Sequence, residues 1–355
     1  MGNQVKINIR GIIHILGIVL VLEGVFMTSC IIVSMIYHEK DIKTFFLATT
    51  ILLLSGLVCW KLTNTNRSKT FGIRESFIIV SLAWFLMSLF GAFPYLFSFS
   101  IPSFTDALFE SVSGFTTTGS SILIDIEALS HGMLYWRSLT HWIGGMGIVV
   151  LAVALLPFLK IEGVLLFNNE ASGIMQEKLH PRIGNVAKRL WIIYVGLTLT
   201  ETLMLWAGDM ELFDAVCHSF GTIATGGFST KNKSIAEYSS YVQYVITAFM
   251  ILSGINFTLH YFALKRQFKK VFHNEELKYY LLFIFGFTLV ITIQLFSRFH
   301  TGLEEAFRRA IFQVASIITA TGFATDDYLL WPNLPCFLFS FSCLLVQVLE
   351  AQVVE

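Results

Sequence analysis

Three stretches of the chain carry threonine and glycine in one shared pattern. They end in Thr116-Thr117-Thr118-Gly119, Ala224-Thr225-Gly226-Gly227 and Thr319-Ala320-Thr321-Gly322. Ala107, Ala215 and Ala310 each stand 12 residues before the last glycine of their stretch, and the glycines recur at intervals of 108 and 95 residues. Glycine gives the backbone access to angles that turn carbonyls toward an axis. Threonine adds hydroxyl oxygens. Rings of such oxygens can replace the hydration shell of a monovalent cation. The three segments contain no carboxylate, which argues against Ca²⁺ or Mg²⁺. One Thr-Gly turn would only connect two helices. Three in register form an internal repeat, and a repeat of this kind dictates architecture.

Other reactive residues are sparse. No nucleophile–base pair, metal-ligand cluster or nucleotide loop stands out, so the chain does not read as an enzyme. Gly144, Gly145 and Gly147 lack a preceding strand and a following Lys-Ser/Thr, so close helix packing is the better reading. The five cysteines form no C-x-x-C pair and read as buried apolar side chains. Arg137, with His141 one turn later, reads as an interfacial anchor or the partner of an outer carboxylate such as Asp106. Trp136 and Trp142 suit an interfacial belt. Glu23 and Glu201 fall inside apolar runs, where carboxylates are functional candidates. His14 is expected near an interface.

The elements that must position these residues follow from composition. Of 355 residues 55% are apolar and 14% charged, against about 25% charged in an ordinary soluble domain. So few polar groups could not coat a soluble surface. The reading is an all-α polytopic membrane protein with about eight transmembrane helices and three re-entrant pore loops. The spans are Gly11–Tyr37, Thr44–Trp60, Ser76–Ser98, Ser138–Leu159, Leu190–Gly208, Tyr238–Leu264, Tyr279–Ser297 and Tyr328–Leu349.

Charge sorts by side. Residues 1–10, 61–74, 160–189 and 265–278 hold 2, 4, 5 and 5 Lys/Arg, which is 16 of 24. The opposite loops hold most acids, including Asp106, Glu110 and Asp214. Both termini should therefore be cytoplasmic, and the acidic outer side would concentrate cations. The organisation reads as a helix pair over 1–70, a first pore unit over 71–160 and a cytoplasmic linker over 161–189. A second unit over 190–270, a third over 271–350 and a tail over 351–355 follow.

The chain resembles the Trk/Ktr/HKT superfamily of potassium transporters, and within it the bacterial TrkH/TrkG type. The resemblance rests on Phe115-Thr116-Thr117-Thr118-Gly119, on Trp136 through Ile148, on Gly227-Phe228-Ser229-Thr230, on Gly254-Ile255-Asn256-Phe257 and on Thr321-Gly322-Phe323. It implies that Gly119, Gly227 and Gly322 are selectivity-filter glycines. It also implies that carbonyls around Thr116–Gly119, Ala224–Gly227 and Thr319–Gly322 ligate K⁺, with Na⁺ a possible second ion. Residues in that role are Thr116, Thr117, Thr118, Gly119, Ala224, Thr225, Gly226, Gly227, Thr319, Ala320, Thr321 and Gly322. The resemblance further implies a homodimer in the bacterial inner membrane. A peripheral, nucleotide-binding TrkA-type subunit would sit on the cytoplasmic face.

The family surrounds its pore with four units. The repeat spacing puts a fourth glycine 95–108 residues beyond Gly322, past Glu355. Family members carry a Gly/Ser-rich break in the eighth helix, where this chain reads Val346 through Glu355. One codon choice for that decapeptide, read in the neighbouring frame, encodes Gly-Ala-Ser-Ala-Gly-Ser-Thr-Ser-Gly-Gly. The expectation is a frameshift near Phe339–Leu344 and a C-terminally truncated chain. A non-conducting fragment or assembly component is the alternative function. A proton-coupled carrier using Glu23 and Glu201 is a third.

Overall fold

Two glycines let the first two helices touch. In the computed structural model, which describes residues 7–63, 73–155, 179–299, 302–327 and 331, α1 (Ile9–Ile36) packs on α2 (Ile42–Leu62). A Cβ placed on Gly17 would lie 2.8 Å from the Gly56 carbonyl oxygen, and one on Gly56 would lie 2.9 Å from that of Gly17. Small residues facing each other bring backbones close, the usual device of helices in lipid.

The chain divides into two compact units, Met1–Thr116 with Ser120–Lys188, and Thr117–Gly119 with Arg189–Glu355. The first contains α1, α2, α3 (Ile73–Gly91), α4 (Phe93–Phe97), α5 (Phe104–Phe115) and α6 (His131–Leu155). Carboxylates from the α1–α2 turn hold the start of α6. Glu39 accepts from the His131 amide at 2.7 Å, the His131 ring at 2.9 Å and the Gly132 amide at 3.0 Å. Asp41 accepts from Ser130. Acids at a helix N-terminus satisfy its open N–H groups and oppose its dipole.

The second unit contains α7 (Leu179–Ala207) from Arg189 onward, α8 (Leu212–Ile223), α9 (Ser240–Ser253), α10 (Phe257–Leu264), α11 (Phe268–Phe272), α12 (Glu275–Phe299) and α13 (Leu303–Ile318). Its apolar cluster joins Ile284, Ile291 and Leu295 of α12 to Ala306, Ala310, Val314 and Ile318 of α13 and to Trp331. These spacings of seven and four keep each set on one helix face. On α12 the other faces show Leu282, Phe285, Leu289, Ile293 and Phe296 exposed. A helix apolar all round is suited to lipid.

All regular elements among the described residues are helical. Ile9–Ile36, Ile42–Leu62, Arg74–Phe97, Ala187–Ala207 and Glu275–Arg298 are long and apolar enough to cross a membrane. The expected span Tyr238–Leu264 is instead two helices, α9 and α10, bent by 100°. The break has local causes. Asn256 caps α10 by accepting from the Thr258 amide at 3.0 Å. Carbonyls released by the break find partners: Leu252 bonds the His260 ring at 2.9 Å, and Ile251 accepts from Tyr280 Oη at 3.0 Å. Residues 179–189, read as the end of a linker, form the first turns of α7. The eighth expected span apart from Trp331, the tail and the rest of the linker lie outside the described residues.

Candidate functional site

The three repeats share one backbone conformation. The short helices α5, α8 and α13 end at Phe115, Ile223 and Ile318. Two residues later the chain turns left-handed, with φ of 55° at Thr117, 52° at Thr225 and 55° at Ala320. Two residues later again it does so at Gly119, Gly227 and Gly322, with φ of 76°, 78° and 84°. A left-handed residue other than glycine costs about 1–2 kcal/mol. It recurs here at equivalent positions because each helix closes in the same C-terminal motif.

That motif is explicit in the second and third repeats. The Thr225 amide donates to the Thr222 carbonyl at 3.0 Å, and the Gly226 amide donates to the Gly221 carbonyl at 2.8 Å. In the third, Ala320 donates to Ile317 at 3.0 Å and Thr321 to Ser316 at 2.9 Å. This is the Schellman pattern. Gly227 and Gly322 add second N–H groups to the same acceptors, at 3.5 and 3.3 Å. Trans peptides point N–H and C=O in opposite directions. With these amides turned back on their helices, the carbonyls of Thr225, Gly226, Ala320 and Thr321 are turned off them.

Within the second unit the loops meet in sequence. A Cβ on Gly119 would lie 2.1 Å from the Gly226 oxygen, and one on Gly227 would lie 1.9 Å from the Thr321 oxygen. The carbonyl before the glycine of one repeat thus sits against the glycine of the previous repeat. Gly322 has no described atom within 4 Å of the corresponding position. The threonine hydroxyls turn to their own chain. Thr116 donates to Val112, Thr225 to Ala224 and Thr319 to Ala315, at 2.7–2.8 Å. With the Thr319 and Thr321 hydroxyls also paired at 2.7 Å, backbone carbonyls are the oxygens the turns offer at those positions.

Several side chains stand apart from their sequence reading. Arg137 pairs with Glu110 at 2.6 Å, with both side chains almost fully buried. Asp106 is not its partner, and Glu110 is no outer-loop acid. The Glu110 carboxylate also accepts from Ser121 Oγ at 3.0 Å and the Ile122 amide at 3.1 Å. Asp214, also read as an outer-loop acid, is buried and accepts from Thr230 at 2.7 Å and Tyr238 at 2.8 Å. Trp136 and Trp142 are buried, and Trp136 donates to the Gly91 carbonyl at 3.0 Å. A Cβ on Gly144 would lie 2.0 Å from the Phe115 oxygen, which bears out close packing there. Among the described residues neither oxygen of buried Glu23 has a hydrogen-bond partner, and buried Glu201 lies beside the Thr222 hydroxyl, outside bonding geometry. His14 bonds the Trp60 carbonyl at 3.3 Å. Cys30 and Cys217 are buried thiols outside any disulfide among the described residues. Sequence reasoning placed Glu110 only among the outer acids and assigned no role to His218, Ser113 or Ser316. The repeat register that aligned the glycines also aligns them.

The family model for TrkH, described as a cation transport protein, matches residues 41–343. The chain belongs to the TrkH family. The TrkH relative from Halomonas elongata, a Trk system potassium uptake protein, is 37% identical over 337 residues, covering 94% of this chain and 70% of the relative. The TrkG potassium uptake protein of Escherichia coli is 36% identical over 330 residues, covering 92% and 68%. The crystal structure of the potassium transporter TrkH from Vibrio parahaemolyticus superposes with a TM-score of 0.84 at 34% identity, over 95% of this chain and 70% of that one. Membership of the TrkH family makes this a multi-pass membrane transporter and not an enzyme.

Proposed function

We propose that the chain is the pore-forming subunit of a Trk-type potassium uptake system, in which backbone carbonyls select the ion. The observation that carries this is the backbone alternation shared by the three loops, with amides tied back and carbonyls turned off the helices in the second and third. K⁺ passes between carbonyls of Thr116–Gly119, Ala224–Gly227 and Thr319–Gly322, and Na⁺ is the disfavoured competitor. Helices α5, α8 and α13 are then pore helices of re-entrant loops, each between two of about eight spans. Unit boundaries near residues 70, 160, 190, 270 and 350 follow from the same reading.

Charge supports the orientation. Lys265, Arg266, Lys269 and Lys270 are exposed around α11, as a cytoplasmic segment requires. That face is the proposed docking side of a TrkA-type nucleotide-binding subunit, and two copies of the chain pair in the membrane. The resemblance supplies both partners.

The test is growth of a potassium-uptake-deficient bacterium on low K⁺. The chain should restore growth, Gly119→Ser should abolish it and Glu201→Gln should retain it. Loss with Glu201→Gln and survival of Gly119→Ser would favour a proton-coupled carrier. No growth despite protein in the membrane would overturn the pore reading.

A further inference from the structure

Each repeat helix holds the strand that leaves its own glycine, through three possible rungs. The first rung lies six residues before the glycine. Ser113 donates to the Ser120 carbonyl at 2.5 Å and Ser316 to the Phe323 carbonyl at 2.6 Å. The second repeat has Gly221 there, which has no hydroxyl to offer.

The next rung lies nine residues before the glycine. Glu110 takes Ser121 and the Ile122 amide, and His218 Nε2 bonds Ser229 Oγ at 2.9 Å. The His218 Nδ1–H donates to the Asp214 carbonyl at 2.8 Å, so in the neutral ring Nε2 accepts the Ser229 proton. The third repeat opposes Gln313 with Ala324.

The outer rung lies thirteen residues before the glycine. Asp214 faces Lys231 at 3.8 Å and Arg309 meets Asp326 at 2.8 Å, while the first repeat opposes Asp106 with Leu123. Each loop therefore keeps two rungs of three, and each lacks a different one.

One left-handed residue other than glycine in each loop, Thr117, Thr225 or Ala320, stores strain, which persists only where the surroundings hold it. The Glu110 carboxylate is the strongest hold. Arg137 offsets its burial, which leaves it free to take two donors from the departing strand. We propose that Glu110, with Arg137 behind it, and His218 are positioning residues for ion discrimination. They fix the strand beyond Gly119 and Gly227, and so the spacing of the carbonyls before it. The inference rests on reading the loops as an ion filter.

Ser229→Ala removes the second rung of its loop, Ser121→Ala removes one of the two bonds that Glu110 accepts from its strand, and neither leaves a buried charge unpaired. The full chain is purified in detergent and titrated calorimetrically with KCl and with NaCl. The ratio of K⁺ to Na⁺ affinity should fall about tenfold in each variant, the worth of one hydrogen bond to a charged or strongly polarised group. Ser121→Thr should retain the wild-type ratio. Glu110→Gln, if it folds, should match or exceed the loss in Ser121→Ala. Wild-type discrimination unchanged in both alanine variants would overturn the inference and leave the filter reading intact. A wild-type chain that binds neither ion would overturn the filter reading and this inference with it.

Discussion

Arg309 pairs with Asp326 at 2.8 Å, at the two repeat positions where Asp214 and Lys231 stand with their signs exchanged. The pair is a shared device, and its polarity is free to reverse. Arg309→Asp combined with Asp326→Arg should therefore recover part of the stability lost by Asp326→Arg alone, the remainder lying in the contacts of Arg309 with Glu305 and of Asp326 with Trp331. The pair is about one-third exposed, so the loss should be about 1 kcal/mol or less. Thermal unfolding of the three variants in detergent checks this. A double variant worse than both singles would contradict it.

The second-repeat pair is less even. Asp214 serves Thr230 and Tyr238 as well as Lys231, whereas Lys231 is 39% exposed and 3.8 Å away. Asp214→Asn should cost more stability than Lys231→Met, by roughly 1 kcal/mol or more. Equal losses in a denaturation series would show that the hydroxyl donors matter little.

Breaking the Glu110–Arg137 pair from one side leaves a buried charge. Arg137→Met alone should cost about 3–5 kcal/mol. Glu110→Gln with Arg137→Met should cost less than the sum of the single changes. Additive losses in this double-mutant cycle would mean that the two groups act independently.

At the helix break, a Cβ on Gly254 would lie 2.5 Å from Tyr280 Oη and 3.0 Å from the Thr319 methyl. Gly254→Ala should destabilise the chain, and adding Tyr280→Phe should recover part of the loss by removing the nearest atom. Tyr280→Phe alone removes a bond to the Ile251 carbonyl, at about 1 kcal/mol. Absence of any recovery in unfolding midpoints would place the strain elsewhere.

The glycines should rank by what surrounds them. Gly119→Ala and Gly227→Ala meet a carbonyl oxygen at 2.1 and 1.9 Å and should lower the unfolding midpoint more than Gly322→Ala. Against the described residues Gly322→Ala meets only the backbone penalty of about 1–2 kcal/mol at φ 84°. The reverse order would contradict the loop-to-loop contact.

The repeat was legible because its glycines and alanines keep one register, and the apolar helices because hydropathy is a summed property. Charge was harder to place. Glu110 and Asp214 read as loop acids, since a carboxylate beside an apolar run is ordinarily at the surface. Their burial depends on Arg137, 27 residues away, and on Tyr238, 24 residues away. The left-handed turns at Thr117, Thr225 and Ala320 left no trace in residue type, because neither Thr nor Ala favours that conformation. The break after Ser253 was hidden by an unbroken apolar run, although Gly254 and Asn256 were its local signals.

The central claim is that these loops choose K⁺ through backbone carbonyls held against glycine. Equilibrium binding of K⁺ and Na⁺ to the purified chain, wild type beside Gly227→Ala, tests it most directly. K⁺ should be preferred by at least about tenfold in the wild type, with that preference abolished in the variant. A Gly227→Ala chain that folds and still prefers K⁺ to the same degree would contradict it.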